Sequence, residues 1–252
     1  MHPSPLKDKF EAYNQAAKEI GDEVLCSGRR HSQESYIPTI VKDITLKLEL
    51  DKADFLLDIG CGTGLITSQL FQNINTIYAL DNENMIKKFK ELHPKEANKI
   101  IFFKGNFLEV NLQLKVDKIL CYSVIHYLKD KEEITAFIDK ALTLLKSGGM
   151  ILLGDLPNVS HKNRFLKTEF GKNFSEAFRA KETCGANTDE STKFDRIFSE
   201  SKDSFSDFDD DFLIELIATY RRKGFPSYIL PQNGERNAFG YTREDILIKK
   251  YR

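Results

Sequence analysis

The sequence predicts an α/β fold, a mostly parallel sheet with helices on both faces. Three observations carry that expectation. From residue 55 onward short apolar runs alternate with helical stretches, the connections between them are short, and the first run feeds a glycine-rich turn. Strands that alternate with helices pair in parallel, because each crossover returns through a helix.

Before the alternation begins, Leu6, Phe10, Tyr13, Ala17 and Ile20 recur at helical spacing, as do Ile37, Ile40, Val41, Ile44 and Leu48. Two amphipathic helices are therefore expected within residues 1–50, separated by a polar turn from Cys26 to Ser35. Residues 51–156 follow as a core: FLLDI, a helix from Leu65 to Phe71, TIYAL, a helix from Met85 to Leu92, KIIFF, VDKILCY, a helix from Ile134 to Leu145, and MILLGD. Gly148 and Gly149 supply the turn from the last helix into Met150.

Residues 157–223 read differently. They are polar and charged, yet nine of the 19 phenylalanines lie between 165 and 212, with Phe170, Phe174 and Phe178 four apart and Phe194 and Phe198 repeating that step. Such aromatic density marks a helical insertion rather than a disordered linker, either a lid or extra packing. Asp207, Asp209, Asp210 and Asp211 read as the start of a helix to about Lys223 rather than as a metal site, since negative charge suits a helix N-terminus. The final residues, 224–252, return to strand character in PSYILP and DILIKKY, an antiparallel pair closing the sheet. All 252 residues are read as a single domain, which buries roughly 70–75% of its unfolded surface at this size.

Thirty-seven basic against 38 acidic residues leave no field favouring nucleic acid or an anionic membrane. Cys26, Cys61, Cys121 and Cys184 are scattered, without metal-ligand spacing, and read as reduced thiols. No basic segment leads into an apolar run at the start, and no window approaches the ~18 uninterrupted apolar residues of a membrane span. A cytoplasmic protein without a metal is expected, its partner a small molecule.

The strongest signal is Leu56-Leu57-Asp58-Ile59-Gly60-Cys61-Gly62-Thr63-Gly64. Glycines permit a tight turn and let a ligand approach the backbone, while a following helix offers unpaired N–H groups. The spacing is GxGxG, with Leu65 where a dinucleotide fingerprint requires its third glycine and with Asp58 just before the first. Both features disfavour NAD and FAD. Seventeen residues past Gly64, TIYAL ends in Asp81, placing a carboxylate at the carboxyl end of the neighbouring strand. A carboxylate there accepts hydrogen bonds from both hydroxyls of a ribose.

Asp58 through Gly64 together with Asp81 resembles the class I S-adenosylmethionine-dependent methyltransferases, over roughly residues 55–156. The resemblance implies a Rossmann-like seven-stranded sheet with an antiparallel last strand, and S-adenosyl-L-methionine as cofactor with S-adenosyl-L-homocysteine as product. It carries over Gly60, Cys61, Gly62 and Asp58 as neighbours of the methionine part, Asp81 as the ribose acid and Asn82 as a flank of the adenine. Ile101 to Phe107 is similar to the family's third strand and adenine loop, with Asn106 in place of the usual aspartate and Phe107 beside it. The fourth strand puts Cys121 and Tyr122 next to the cofactor. Leu144 to Met150 resembles the family's turn into strand five, with Ser147 replacing a proline.

His126, just past the fourth strand, is the candidate general base, because imidazole takes a proton from a hydroxyl near neutral pH. Tyr122 and Tyr127 read equally as core or pocket wall, and Arg29 and Arg30 as exposed turn residues or as partners for a carboxylate. The activity expected is methyl transfer to a small-molecule acceptor through a hydroxyl oxygen, with an N-methyltransferase or a protein or RNA methyltransferase as alternatives. From other classes, a nicotinamide-dependent oxidoreductase and a non-catalytic cofactor-binding module remain.

Overall fold

The computed structural model describes residues 8–183, 189–199, 208–234 and 239–252. Its centre is a seven-stranded sheet of β1 (Phe55–Ile59), β2 (Thr76–Asp81), β3 (Ile100–Lys104), β4 (Val116–Tyr122), β5 (Leu145–Pro157), β6 (Ser227–Pro231) and β7 (Arg243–Lys249). The strand order is β3-β2-β1-β4-β5-β7-β6. Neighbours pair in parallel except for β7, which runs antiparallel to both β5 and β6. The order reverses between β1 and β4, and ligands of open α/β sheets bind in the crevice outside the carboxyl ends of strands at such a reversal.

Period-two alternation divides each central strand between two cores. Leu57, Ile119, Ile151 and Ile246 face α7 (Lys131–Leu144) and α11 (Asp210–Arg222), which contribute Phe137, Ile138, Leu213 and Tyr220. Leu56, Leu120, Leu152 and Leu247 face the other way, onto α3 (Ile37–Lys47) and α5 (Glu83–Leu92) through Ile40, Ile44 and Phe89.

The N-terminal segment has more structure than two helices and a turn. Between α1 (Lys9–Glu19) and α3 lies α2 (Glu23–Cys26), ending where the polar turn from Cys26 to Ser35 was expected to begin, and most of that turn is a 3₁₀ helix over His31–Tyr36. Asp22 caps α2 by accepting from the Leu25 N–H, and Gln33 accepts from the Arg30 N–H. These short-range contacts suit a segment without helical periodicity. Leu6 lies outside the described residues. After the glycine turn the helix α4 is only Thr67–Leu70, shorter than its apolar run predicts, and a one-turn α6 (Pro94–Ala97) precedes β3.

Residues 157–223 hold α8 (Val159–Lys167), α9 (Glu169–Thr183), α10 (Asp189–Ser199) and α11. The phenylalanines serve three purposes. Phe165, Phe170, Phe174 and Phe178 form an aromatic cluster with Tyr241, whose ring stacks on Phe165 at 4.8 Å. Phe194 and Phe198 pack α10 against α1, and Phe208 and Phe212 enter the sheet core. Phe205, Asp207 and Cys184 lie outside the described residues. Asp209 caps α11 by accepting from the Phe212 N–H, with Asp210 and Asp211 in the first turn, so these three acids start a helix.

Candidate functional site

The glycine turn closes β1 with Gly60, Gly62 and Gly64 all at positive φ. Gly64 is required on two counts. At φ +93° an L residue is strained, and a Cβ would stand 2.7 Å from the Phe89 ring of α5. Gly62, at φ +57°, has open space where a Cβ would project. It sits in the wall of a cavity of about 510 Å³ at the carboxyl ends of β1, β2 and β4, within the range of small-molecule sites.

Two buried carboxylates face that cavity. Asp58 falls on the Leu56 face of β1, where the Thr67 hydroxyl of α4 donates to its Oδ2 at 2.5 Å. Burial pushes its pKa up to about 7, against the Thr67 hydrogen bond, with the Asp81 charge adding to the rise. Asp81 ends β2. Its Oδ2 accepts from the Gly62 N–H at 2.7 Å and its Oδ1 from the Asn82 N–H at 2.7 Å, so the acid pins the turn it faces. Burial raises its pKa to about 6 in spite of those two donors. Among the described residues neither carboxylate has a cationic partner within 4.0 Å. Thr63 Oγ1, also in the cavity wall, is buried without a protein partner. A wall that desolvates acceptors and leaves a hydroxyl unpaired is made for a ligand rich in donors.

At the β3 side, Asn106 and Phe107 line the cavity. Asn106 Oδ1 accepts from the Leu108 N–H at 3.0 Å, which fixes the loop and leaves a second lone pair, while Phe107 packs on Phe137 at 4.6 Å between centroids. At the β4 side Tyr122 is part of the wall, its hydroxyl accepting from Gln232 Nε2 at 3.3 Å.

Three site residues of the sequence reading lie elsewhere. Cys121 belongs to the opposite core face of β4, one residue out of phase with Tyr122, and packs with Ile119 and Leu153. Asn82 sits behind the acid as the N-cap of α5, accepting from the Met85 N–H at 2.9 Å, and does not line the cavity. His126 is also outside the wall, its ring 4.1 Å from that of Tyr127 and its Nδ1 buried without a partner. Burial and the charge of Arg243 push its pKa down to about 3, so it resists taking a proton. The next residue, Tyr127, does line the cavity.

Part of the remaining wall comes from the N-terminal segment, where the sequence offers Arg29 and Arg30 as exposed turn residues or partners for a carboxylate and Tyr13 only as a position on a helix face. Tyr13 of α1 donates its hydroxyl to that of Tyr127 at 2.9 Å, and burial with the Tyr127 neighbour holds its phenol pKa well above the usual range. Arg29 lines the cavity too, donating to Ser123 Oγ at 3.2 Å, whereas Arg30 turns away to pair with Asp195 of α10 at 2.8 Å. Nothing in local spacing distinguishes the two arginines; the fold does.

A parallel sheet reversed at β1 and β4, with a glycine turn and a strand-end acid at the reversal, defines a nucleotide-cofactor site of the Rossmann-like kind. Residues 57–153 match the family model described as a methyltransferase domain. Over 106 residues the chain is 27% identical to nodulation protein S of Azorhizobium caulinodans, covering 41% of this chain and 50% of that one. It is 14% identical to the solved N-methyltransferase NodS of Bradyrhizobium japonicum WM9 in complex with S-adenosylhomocysteine, covering 94% of this chain and 96% of that one at a TM-score of 0.57. A putative O-methyltransferase of Nostoc punctiforme gives 15% identity, 96% and 68% coverage and a TM-score of 0.58. The chain spans about half the length of the first curated relatives it matches. Among the described residues no helix is long and apolar enough to cross a membrane.

Proposed function

We propose that this protein transfers a methyl group from S-adenosylmethionine to a compact small-molecule amine. The observation that carries the cofactor is the Asp58–Asp81 pair, desolvated and unpaired by cations beside the glycine turn. Asp81 takes the ribose hydroxyls, Asp58 the amino group of the methionine part, and Asn106 with Phe107 the adenine. Arg29 is a half-buried cavity cation with no carboxylate within 4.0 Å among the described residues, and it takes the methionine carboxylate.

When bound, the cofactor would supply an electrophilic methyl carbon, which the acceptor lone pair attacks in line as S-adenosylhomocysteine leaves with the electrons of the S–C bond. The chain's own task is alignment and exclusion of water, and alignment of this kind supplies up to ~7–11 kcal/mol of barrier reduction. Tyr13, Tyr122 and Tyr127 enclose the acceptor side with Arg29. A hydroxyl acceptor, as the sequence reading favoured, needs a base. Among the described residues no histidine lines the cavity, and His126 is half-buried with a depressed pKa. An amine that has given its ammonium proton to solvent and enters in its neutral form needs no base in the site, and the tyrosine hydroxyls can accept its N–H groups.

Isothermal titration with S-adenosylhomocysteine, NAD and NADP in parallel tests the cofactor. Binding of the thioether alone is expected; binding of a dinucleotide alone returns the oxidoreductase reading. A methylation assay with small amines and small phenols tests the acceptor, and label taken up only by a protein or RNA fraction would overturn it. Binding without transfer to any acceptor would favour the non-catalytic module.

A further inference from the structure

Ser123 and Asp155 stand out in the backbone. With Glu49 they are the described non-glycine residues at positive φ, at 60° and 63°, a conformation that costs an L residue free energy and persists only where surroundings enforce it. Both lie at the carboxyl ends of parallel strands, Ser123 just after β4 and Asp155 near the end of β5. The two twisted backbones bring the Ser123 hydroxyl onto Asp155 Oδ2, to which it donates.

Asp155 is itself fixed from several directions. Its Oδ2 also accepts from Arg243 Nη1 at 2.8 Å, and its N–H donates to Asp245 Oδ1 at 2.8 Å. Asp245 is wholly buried and held by Lys47 Nζ at 2.6 Å. With its proton committed to Asp155, the Ser123 oxygen presents only lone pairs to the cavity. One of them accepts from Arg29 Nη2 at 3.2 Å. The other guanidinium contacts are long, Nη1 to the Ser27 carbonyl at 3.5 Å and the guanidinium carbon 6.0 Å from the centre of the Tyr122 ring.

We propose that Ser123 and Asp155 are positioning residues that hold the Arg29 guanidinium in the cavity wall, ready for a carboxylate. Asp155 orients and polarises the serine hydroxyl; the serine oxygen orients the arginine. The strain at two strand ends is maintained because it fixes a charge that the turn carrying Arg29 would otherwise leave to rotate. This inference rests on the reading of Arg29 as the partner of the cofactor carboxylate.

The test is titration of the full chain with S-adenosylhomocysteine and with 5′-adenosyl-3-thiopropylamine, the same thioether without its carboxylate. Ser123→Gly removes the hydroxyl while accommodating the positive φ, and Asp155→Asn removes the charge with a residue that tolerates it. Each is expected to weaken the carboxylate ligand, Ser123→Gly by about tenfold, while the thiopropylamine stays within about twofold. In an Arg29→Ala background neither substitution should weaken binding further. Equal weakening of both ligands would mean that the pair merely supports the fold, and would overturn the proposal. So would unchanged affinity in Ser123→Gly or Asp155→Asn while Arg29→Ala alone weakens binding. If Arg29→Ala itself binds S-adenosylhomocysteine normally, the reading of Arg29 falls first and the positioning role with it. Thermal unfolding of each variant separates a failure to fold from a loss of orientation, and either substitution alone suffices if the other does not fold.

Discussion

Asp58 and Asp81 set the pH behaviour expected at the scale of single residues. Their pKa values, about 7 and about 6, stand above the ordinary carboxylate value because burial disfavours the charged form. A carboxylate raised in the folded state binds its proton more tightly there than in the unfolded chain. Its contribution to stability is therefore present at low pH and lost as the pH rises through about 4 to 7. Thermal unfolding of the protein without ligand should shift in favour of an Asp58→Asn variant, relative to wild type, across that window. Binding runs the other way, since hydroxyl and amino donors need the ionised carboxylates. Affinity for S-adenosylhomocysteine should fall as the pH drops below about 7, with protons released on binding at the acid end. Titrations in buffers of different ionisation heat measure that release, and a pH-independent affinity would remove these acids from the ligand. His126→Ala is a second expectation at this scale. Turnover should stay within about threefold, whereas a general base costs on the order of 10²-fold or more.

Among the elements, the glycine turn and α4 decide how the ligand meets the backbone. Because a Cβ at Gly62 meets nothing within 4 Å, Gly62→Ala should fold, at a cost of about 1 kcal/mol for the positive φ, and lose cofactor affinity by filling cavity space. Gly64→Ala should instead lower the melting temperature, because its Cβ collides with the Phe89 ring. Helix α11 gives a contrast. Leu213 is wholly buried in the core shared with β4, and Leu213→Ala should cost about 2–5 kcal/mol in denaturant unfolding. A much smaller loss would place α11 outside that core.

The whole molecule joins distant segments around one cavity. Ala12 and Ala16 of α1 with Ile20 just beyond it, Leu25 and Cys26 of α2, Met85 of α5 and Ile197 of α10 form a third core. Glu190 of α10 accepts from the Gly21 and Asp22 N–H groups at 2.7 and 2.9 Å, fastening the insertion to the turn before α2. S-adenosylhomocysteine at 100 times its Kd should stabilise the folded chain by about 2.7 kcal/mol, read as a rise in melting temperature, and NAD should give none.

The strand alternation, the glycine turn, the acid at the end of β2 and the antiparallel closing pair were all legible in the sequence, because each is a local pattern of period, turn chemistry and spacing. So were Asp58 and Asp81, whose distance from the turn is fixed by one strand and one crossover. What only the tertiary structure decided depends on long-range packing. It set Tyr122 in the cavity and Cys121 in the core, a choice of strand face that a continuous apolar run leaves open. It turned Arg29 inward and Arg30 toward α10, moved His126 out of the wall in favour of Tyr127, and divided the phenylalanines of one insertion between two cores and a separate aromatic cluster. Sequence determines which residues are neighbours along the chain; the cavity is lined by residues drawn from as far apart as Asp8 and Phe137, and only the fold determines which side of each faces in.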